Sequence, residues 1–383
     1  MTPFSQQTLT RRQLLGGAAG LSSLCAAPVW SQAKPKTDTQ RNVVVAQIVD
    51  NTAGQTDVSK DFLIGCRAAW QEINALGGLN GHAVEHLVLE ADSSAGSLSN
   101  ALEVVKKTPN CVALSGTVGD RIASQLVELL KQSRLNIAHV APWLQNSDLD
   151  GDANTFTIFA SRQEQIAKAF KSLSVMGVPE LAAVYASEQE YAQYHSDIEH
   201  ASAALQIRLE TFKPVGDLAQ IGKTLTPDTP RILLFMGGTP ELVQFLRGIG
   251  KQAQQRYVIA LADVNLQTMM QMVSHRATPV IATQVVPMVN APVGVVRAYR
   301  QTMARLFDEP PTPQSLSGYI AARYTFEVLK RVDGLPTRSS ALQAFQQRQS
   351  MDLNGFRVSF NTQGRSGTYV TQSMITPDGR LVG

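Results

Sequence analysis

From Arg41 onward the chain alternates short β-branched runs with longer amphipathic ones, and this restricts the fold more than any other feature. Asn42 to Val49 is a buried-strand pattern that ends at Asp50-Asn51, where a loop begins. Phe62, Cys66, Ala69, Ile73 and Leu76 then recur at the spacing of one helix face, so Val58 to Leu76 reads as a helix. Gly77-Gly78 ends it, and Asn80-Gly81 turns the chain into a strand from Val84 to Leu89. A helix from Leu98 to Lys107, a strand at Val112 to Leu114, a helix from Ile122 to Gln132 and a strand at Asn136 to Val140 continue the series. Strands separated by helices cannot form hairpins; they form a parallel sheet with helices on both faces.

After a connection near Asn154 to Ser161 the alternation resumes. Strands are expected at Leu181 to Tyr185, Ile207 to Phe212, Ile232 to Phe235, Tyr257 to Leu261 and Val280 to Val286. The tail departs from the pattern. Three helical stretches, Val293 to Phe307, Leu316 to Arg331 and Ser339 to Gln349, follow one another without strands between them. They can only cover a sheet already built, so this part of the chain must return to earlier elements. Short strands with turns at Asn361 to Gly364 and Pro377 to Gly379 are expected over Phe356 to Val382.

The N-terminus reads as an export leader. Thr10-Arg11-Arg12-Gln13-Leu14-Leu15 is a twin-arginine pattern, followed by an uncharged, Gly-containing stretch to Trp30 and small residues at Ser31 and Ala33. The stretch is too short and too weakly apolar to span a bilayer. Leu24 stands where a small residue is wanted ahead of a lipidated cysteine, which argues against an anchor at Cys25. Cleavage after Ala33 would leave a periplasmic chain. Its formal charge would fall from +3 to +1 with the loss of Arg11 and Arg12. A near-neutral chain offers bulk charge no purchase on nucleic acid. The remaining length exceeds what one core usually holds, which favours two domains. Cys66 and Cys111 would survive export, one in the first helix near the ligand-facing end of its sheet, the other ahead of the third strand at the opposite end. A disulfide needs Cα atoms within about 7 Å, so two buried thiols are expected.

Signals for catalysis are thin. The six histidines form no H-E-x-x-H unit, no C-x-x-C occurs, and neither a G-x-S-x-G elbow nor a phosphate-binding G-x-x-x-x-G-K-[ST] loop is present. No metal or cofactor is expected. Ser115-Gly116-Thr117-Val118-Gly119 and Gly237-Gly238-Thr239 do join strands to helices. Such turns are either plain connections or present backbone N–H groups to an anion. In open parallel sheets, ligands bind beyond the carboxyl ends of the strands, where these turns lie.

Trp70-Gln71-Glu72-Ile73-Asn74-Ala75-Leu76-Gly77-Gly78-Leu79-Asn80-Gly81 resembles the E-x-I-N-A-x-G-G-I-N-G segment of the type I periplasmic solute-binding proteins of the branched-chain amino acid transporter group. Val88 to Ser93, Thr283 to Pro287, Gly318 to Ala322 and Thr376 to Gly379 resemble further landmarks of that family in the same order. The resemblance covers nearly all of residues 41 to 383. It implies two doubly wound α/β lobes joined by three crossovers: residues 41–158 with 287–350, and residues 159–286 with 351–383. It further implies a non-catalytic, monomeric receptor that closes over a small polar or carboxylated solute. Its partner would be an inner-membrane ABC permease or, alternatively, a membrane-bound sensor.

Carried over position by position, the resemblance makes Ser115, Gly116, Thr117 and Val118 the cradle for a ligand carboxylate. Asn51, in the loop that ends the first strand, and Gly237, in the later strand-to-helix turn, are further candidate ligand contacts by their loop positions. Pro142-Trp143-Leu144-Gln145 stands where relatives often read Pro-Phe-Thr-Gly. Trp143 there either stacks on a ligand or packs under the loop. Tyr191 occupies a position where relatives often place an aromatic residue. Asp263 either pairs with a ligand ammonium or caps the helix that follows at Leu266.

Overall fold

The computed structural model describes residues 42–383 except 53, 93, 151, 215, 251–253, 274–277, 368 and 377–380. The leader, Cys25, His275 and the Pro377 to Gly379 turn therefore lie outside the described residues. The β-branched run becomes strand β1 (Val43–Asp50), all eight residues of which are buried. That is the signature of a strand covered on both faces. It pairs in parallel with β2 (Val84–Ala91) and β3 (Cys111–Ser115), and β4 (Ala138–Val140) and β5 (Thr155–Phe156) extend the sheet in the order β2-β1-β3-β4-β5. Between them run α1 (Thr56–Ala75), α2 (Ala95–Lys107) and α3 (Asp120–Ser133). The end of α1 falls where the glycines put it: Gly77 and Gly78 have φ of 105° and 67°, and the Gly78 amide closes back on the Ile73 carbonyl at 2.9 Å.

The first crossing, residues 157–161, leads to α4 (Arg162–Val175) and the second sheet. There β6 (Glu180–Tyr185), β7 (Arg208–Phe212), β8 (Ile232–Met236), β9 (Tyr257–Ala260) and β10 (Val280–Gln284) lie parallel. Helices α5 (Glu188–Ala204), α6 (Leu218–Thr224), α7 (Thr239–Ile249) and α8 (Leu266–Met272) connect them. Residues 285–293 cross back to α9 (Gly294–Leu306), α10 (Pro313–Leu329) and α11 (Arg338–Gln346). As the tail required, these cover the first sheet: Tyr299, Leu316, Tyr319 and Phe345 are buried with Phe62 and Trp70 of α1.

The helix pair α1 and α10 crosses at glycines. A Cβ on Gly65 would lie 1.7 Å from the Ser315 carbonyl oxygen, and one on Gly318 would lie 1.9 Å from that of Phe62. The two backbones are in direct contact. Cys66 Sγ donates to the Gly318 carbonyl at 3.2 Å across the same seam. Cys66 and Cys111 are both buried free thiols, as expected.

One boundary moves. The hairpin of β11 (Met351–Asp352) and β12 (Arg357–Val358) belongs with the first sheet, not the second, because Met351, Leu353, Phe356 and Val358 are buried in the α1–α10 core. The third crossing therefore follows Val358 instead of preceding Met351. It delivers β13 (Thr371–Ile375) antiparallel to β10, with β14 (Leu381–Val382) outside it. Arg365 pins this crossing. Its guanidinium donates to both Asp150 carboxylate oxygens at 2.8 Å and to the carbonyls of Leu144, Phe159 and Asn146 at 2.9–3.1 Å.

Candidate functional site

The carboxyl ends of both parallel sheets bring their loops together around Asp263, which follows β9 and is 4% exposed. A buried carboxylate is tolerated only when paired and hydrogen-bonded, and this one has four donors. Arg162 contributes Nε at 3.0 Å and Nη2 at 2.7 Å, both to Oδ2. Trp143 donates its indole N–H to Oδ1 at 3.2 Å, and Gln145 donates its amide to the same oxygen. Trp143 and Gln145 come from the first lobe, whereas Arg162 and Asp263 come from the second. The remaining guanidinium nitrogen, Nη1, donates to the Tyr194 hydroxyl at 2.6 Å and lies 3.4 Å from Glu190 and 3.6 Å from Asp120. Burial alone would push the Arg162 guanidinium down; Asp263, Glu190 and Asp120 outweigh it and hold it well above its ordinary value. Burial pushes Glu190 up despite Arg162.

Glutamines extend the network. Gln165 donates to Gln145 Oε1 at 2.7 Å and accepts from the Ala262 amide at 2.9 Å and the Thr283 hydroxyl at 2.7 Å. A second line of contacts joins α1 to the other lobe. The Thr239 hydroxyl donates to Asp57 at 2.7 Å, and the Asn265 amide donates to Asp61 at 2.8 Å. Burial raises both of these aspartates above the usual carboxylate range. Gln314 of α10 donates to the carbonyls of Ala262 and Val264, on either side of Asp263, at 3.1 and 3.3 Å.

Of the residues expected from sequence, Trp143, Gln145 and Asp263 meet here. Trp143 does pack under its loop, edge-on to Phe62 with centroids 5.8 Å apart and against Phe159 at 5.7 Å. Asp263 is not the cap of α8; Asn265 is, accepting from the amides of Gln267 and Thr268. The hydroxyls of the turn after β3 face inward. Ser115 pairs with Thr325 at 2.7 Å, and Thr117 pairs with His139 at 3.0 Å. Burial pushes His139 down to about 4, so it is neutral at pH 7. The Gly116 amide donates to the Val140 carbonyl at 2.8 Å and the Val118 amide to that of Ile48 at 3.0 Å. The Ser115 and Thr117 hydroxyls and the Gly116 and Val118 amides of the expected carboxylate cradle are thus engaged within the first lobe.

The other candidates also lie apart from the network. Leu144 is buried against Ala123 and Val127 of α3. Tyr191 stacks on His195 at 4.6 Å, because on α5 positions 190 and 194 face Arg162 while 191 and 195 turn to another side. Gly237 is a packing glycine, since a Cβ there would lie 2.5 Å from that of Ala186. Asn51 is exposed and donates its amide to the Ala91 carbonyl.

Arg162 was not anticipated, although the sequence carries a signal for it. Ser161-Arg162-Gln163-Glu164 is a capping box, and the structure shows both of its reciprocal bonds. A cation in the first turn opposes the helix dipole. Such a residue is retained where carboxylates from elsewhere compensate it.

Against known proteins, the family model described as a periplasmic binding protein matches residues 42–376. No curated protein matches the chain. An extracellular ligand-binding receptor from Verminephrobacter eiseniae is a similar solved structure, with a TM-score of 0.80 at 20% identity, over 89% of this chain and 100% of that one. A substrate-binding periplasmic protein from Ralstonia solanacearum superimposes at a TM-score of 0.77 and 19% identity, over 89% and 99%. A branched-chain amino acid ABC transporter protein from Thermus thermophilus with bound valine reaches 0.75 at 12% identity, over 90% and 95%. At these identities the structural likeness speaks for the fold.

Proposed function

Because the chain belongs to the periplasmic binding protein family, we propose that it captures a small polar solute between its lobes and delivers it to the permease of an ABC importer. Family membership itself implies a periplasmic location and a ligand-binding role. The observation that best supports the reading is the meeting of Trp143 and Gln145 from one lobe with Asp263 from the other, at the carboxyl ends of both sheets. That is where open α/β sheets place ligands, and crossings between two lobes permit hinge closure over them. The reading assigns the protein no catalysis and has it act as a monomer.

A thermal-shift screen of amino acids, amines, dicarboxylates and aromatic acids tests it. A solute at a hundredfold excess over its dissociation constant stabilises the bound form by about 2.7 kcal/mol, a rise of several degrees. A library without a single stabilising solute would count against the reading.

We also propose that residues 1–33 are a twin-arginine leader cleaved after Ala33. Arg11→Lys combined with Arg12→Lys is expected to trap precursor in the cytoplasm, seen as loss of mature protein from periplasmic extracts. Normal accumulation of the double variant would assign it to the general secretion route instead.

A further inference from the structure

The residues around the cleft differ sharply in what they offer and what they lack. Six carboxylates, those of Asp57, Asp61, Asp120, Glu190, Glu241 and Asp263, form an overlapping electrostatic group, and Arg162 is the cation buried among them. Lys60 also acts on Asp61, but from an exposed position. Thr239 and Asn265 donate hydrogen bonds to two of these acids but bring no charge. Arg162 is already committed: Nε and Nη2 donate to Asp263, and Nη1 donates to the Tyr194 hydroxyl and to Glu190.

A second, independent observation concerns unmatched acceptors. Of the nine buried side-chain atoms without a hydrogen-bond partner among the described residues, three are acceptors at the ends of α1, α7 and α10 that face this group: Gln55 Oε1, Glu241 Oε2 and Gln314 Oε1. Gln314 is only 3% exposed. Its Nε2 is committed to the carbonyls of Ala262 and Val264, which fixes the amide orientation and identifies the orphan atom as an acceptor. Glu241 lies against both lobes: Cβ atoms built on Gly54 and Gly238 would come within 3.5 and 3.0 Å of its carboxylate oxygens. A buried acceptor without a donor is costly, so these oxygens call for a hydrogen-bond donor, and beside so many carboxylates a positively charged one is favoured. Among the described residues no three His, Cys, Asp or Glu side chains converge as metal ligands would.

We propose that the solute of this cleft is an aliphatic amine with more than one positive charge, its N–H groups satisfying Glu241, Gln314 and the neighbouring aspartates. This rests on the reading of the chain as a solute-binding protein.

Isothermal titration of the mature chain with putrescine, spermidine and agmatine, alongside leucine, glutamate and benzoate, tests it. At least one amine should bind, and its affinity should fall as ionic strength rises. Glu241→Gln should weaken that amine about ten- to a hundredfold, with an unchanged far-UV circular dichroism spectrum. Asp57→Asn provides a second variant, with the same direction expected, should Glu241→Gln fail to fold. Binding of a carboxylated compound with none of the amines would overturn the inference and leave the binding-protein reading intact. Silence from both classes would remove both. Equal amine affinity in the folded variants and the unsubstituted protein would also overturn it.

Discussion

Arg162→Met is expected to destabilise the protein by about 3–5 kcal/mol, the usual cost of removing one partner from a buried ion pair. The substitution keeps a long, unbranched side chain but leaves Asp263, Glu190 and Asp120 without the cation that faces them. Urea unfolding should show the loss as a lower midpoint with an unchanged slope. The sign of the pH dependence follows from the acids. Burial already raises Glu190 above its ordinary value despite Arg162, and removing that cation raises it further, so the folded state binds a proton there more readily. The deficit of the variant is therefore largest at neutral pH and narrows as pH falls towards the carboxylate range. Adding Asp263→Asn to Arg162→Met should restore part of the loss, since one buried charge is then removed. A double variant no more stable than the single one would show that the energy resides in the Tyr194 and Glu190 contacts.

Gly65→Ala sets two effects of opposite sign against each other. Inside a helix, alanine is better than glycine by about 1 kcal/mol, which would stabilise α1. The added methyl, however, would lie 1.7 Å from the Ser315 carbonyl oxygen and 2.8 Å from the Tyr319 amide nitrogen. Those are backbone atoms, so the whole α1–α10 pair must separate. Overpacking of this kind costs about 1–3 kcal/mol and sometimes more, and backbone contact puts it at or above the upper end. The net expectation is a clear loss, with Gly318→Ala matching it from the other helix. Midpoints from denaturant unfolding decide the matter, and a Gly65→Ala variant as stable as the unsubstituted protein would mean that the helices slide apart at little cost.

The architecture was largely legible in the sequence because it depends on local signals. The β-branched run of β1, the paired glycines after α1 and the strandless helices of the tail each have one reasonable interpretation. The site was legible only in part. Loop position brought Trp143, Gln145 and Asp263 into consideration, but no local pattern says which way a hydroxyl at a strand end turns. Ser115 meets Thr325, 210 positions later, and Thr117 meets His139 on the neighbouring strand. Both partners are set by tertiary packing. Arg162 escaped notice for the same reason, as its three carboxylates come from three separate elements. The β11–β12 hairpin packs with the first lobe although the sequence places it with the second, because two-residue strands carry no periodicity to follow.

The indole of Trp143 gives the protein an optical gauge. Of the three tryptophans in the sequence, Trp30 lies outside the described residues and Trp70 is buried within the first lobe beside His86. Trp143 belongs to the first lobe, yet its ring nitrogen is held by a carboxylate of the second. Any parting of the lobes must break that bond and let water reach the ring, while the surroundings of Trp70 travel with it unchanged. A shift in ultraviolet emission would then follow the hinge in real time, with no dye attached and no ligand labelled.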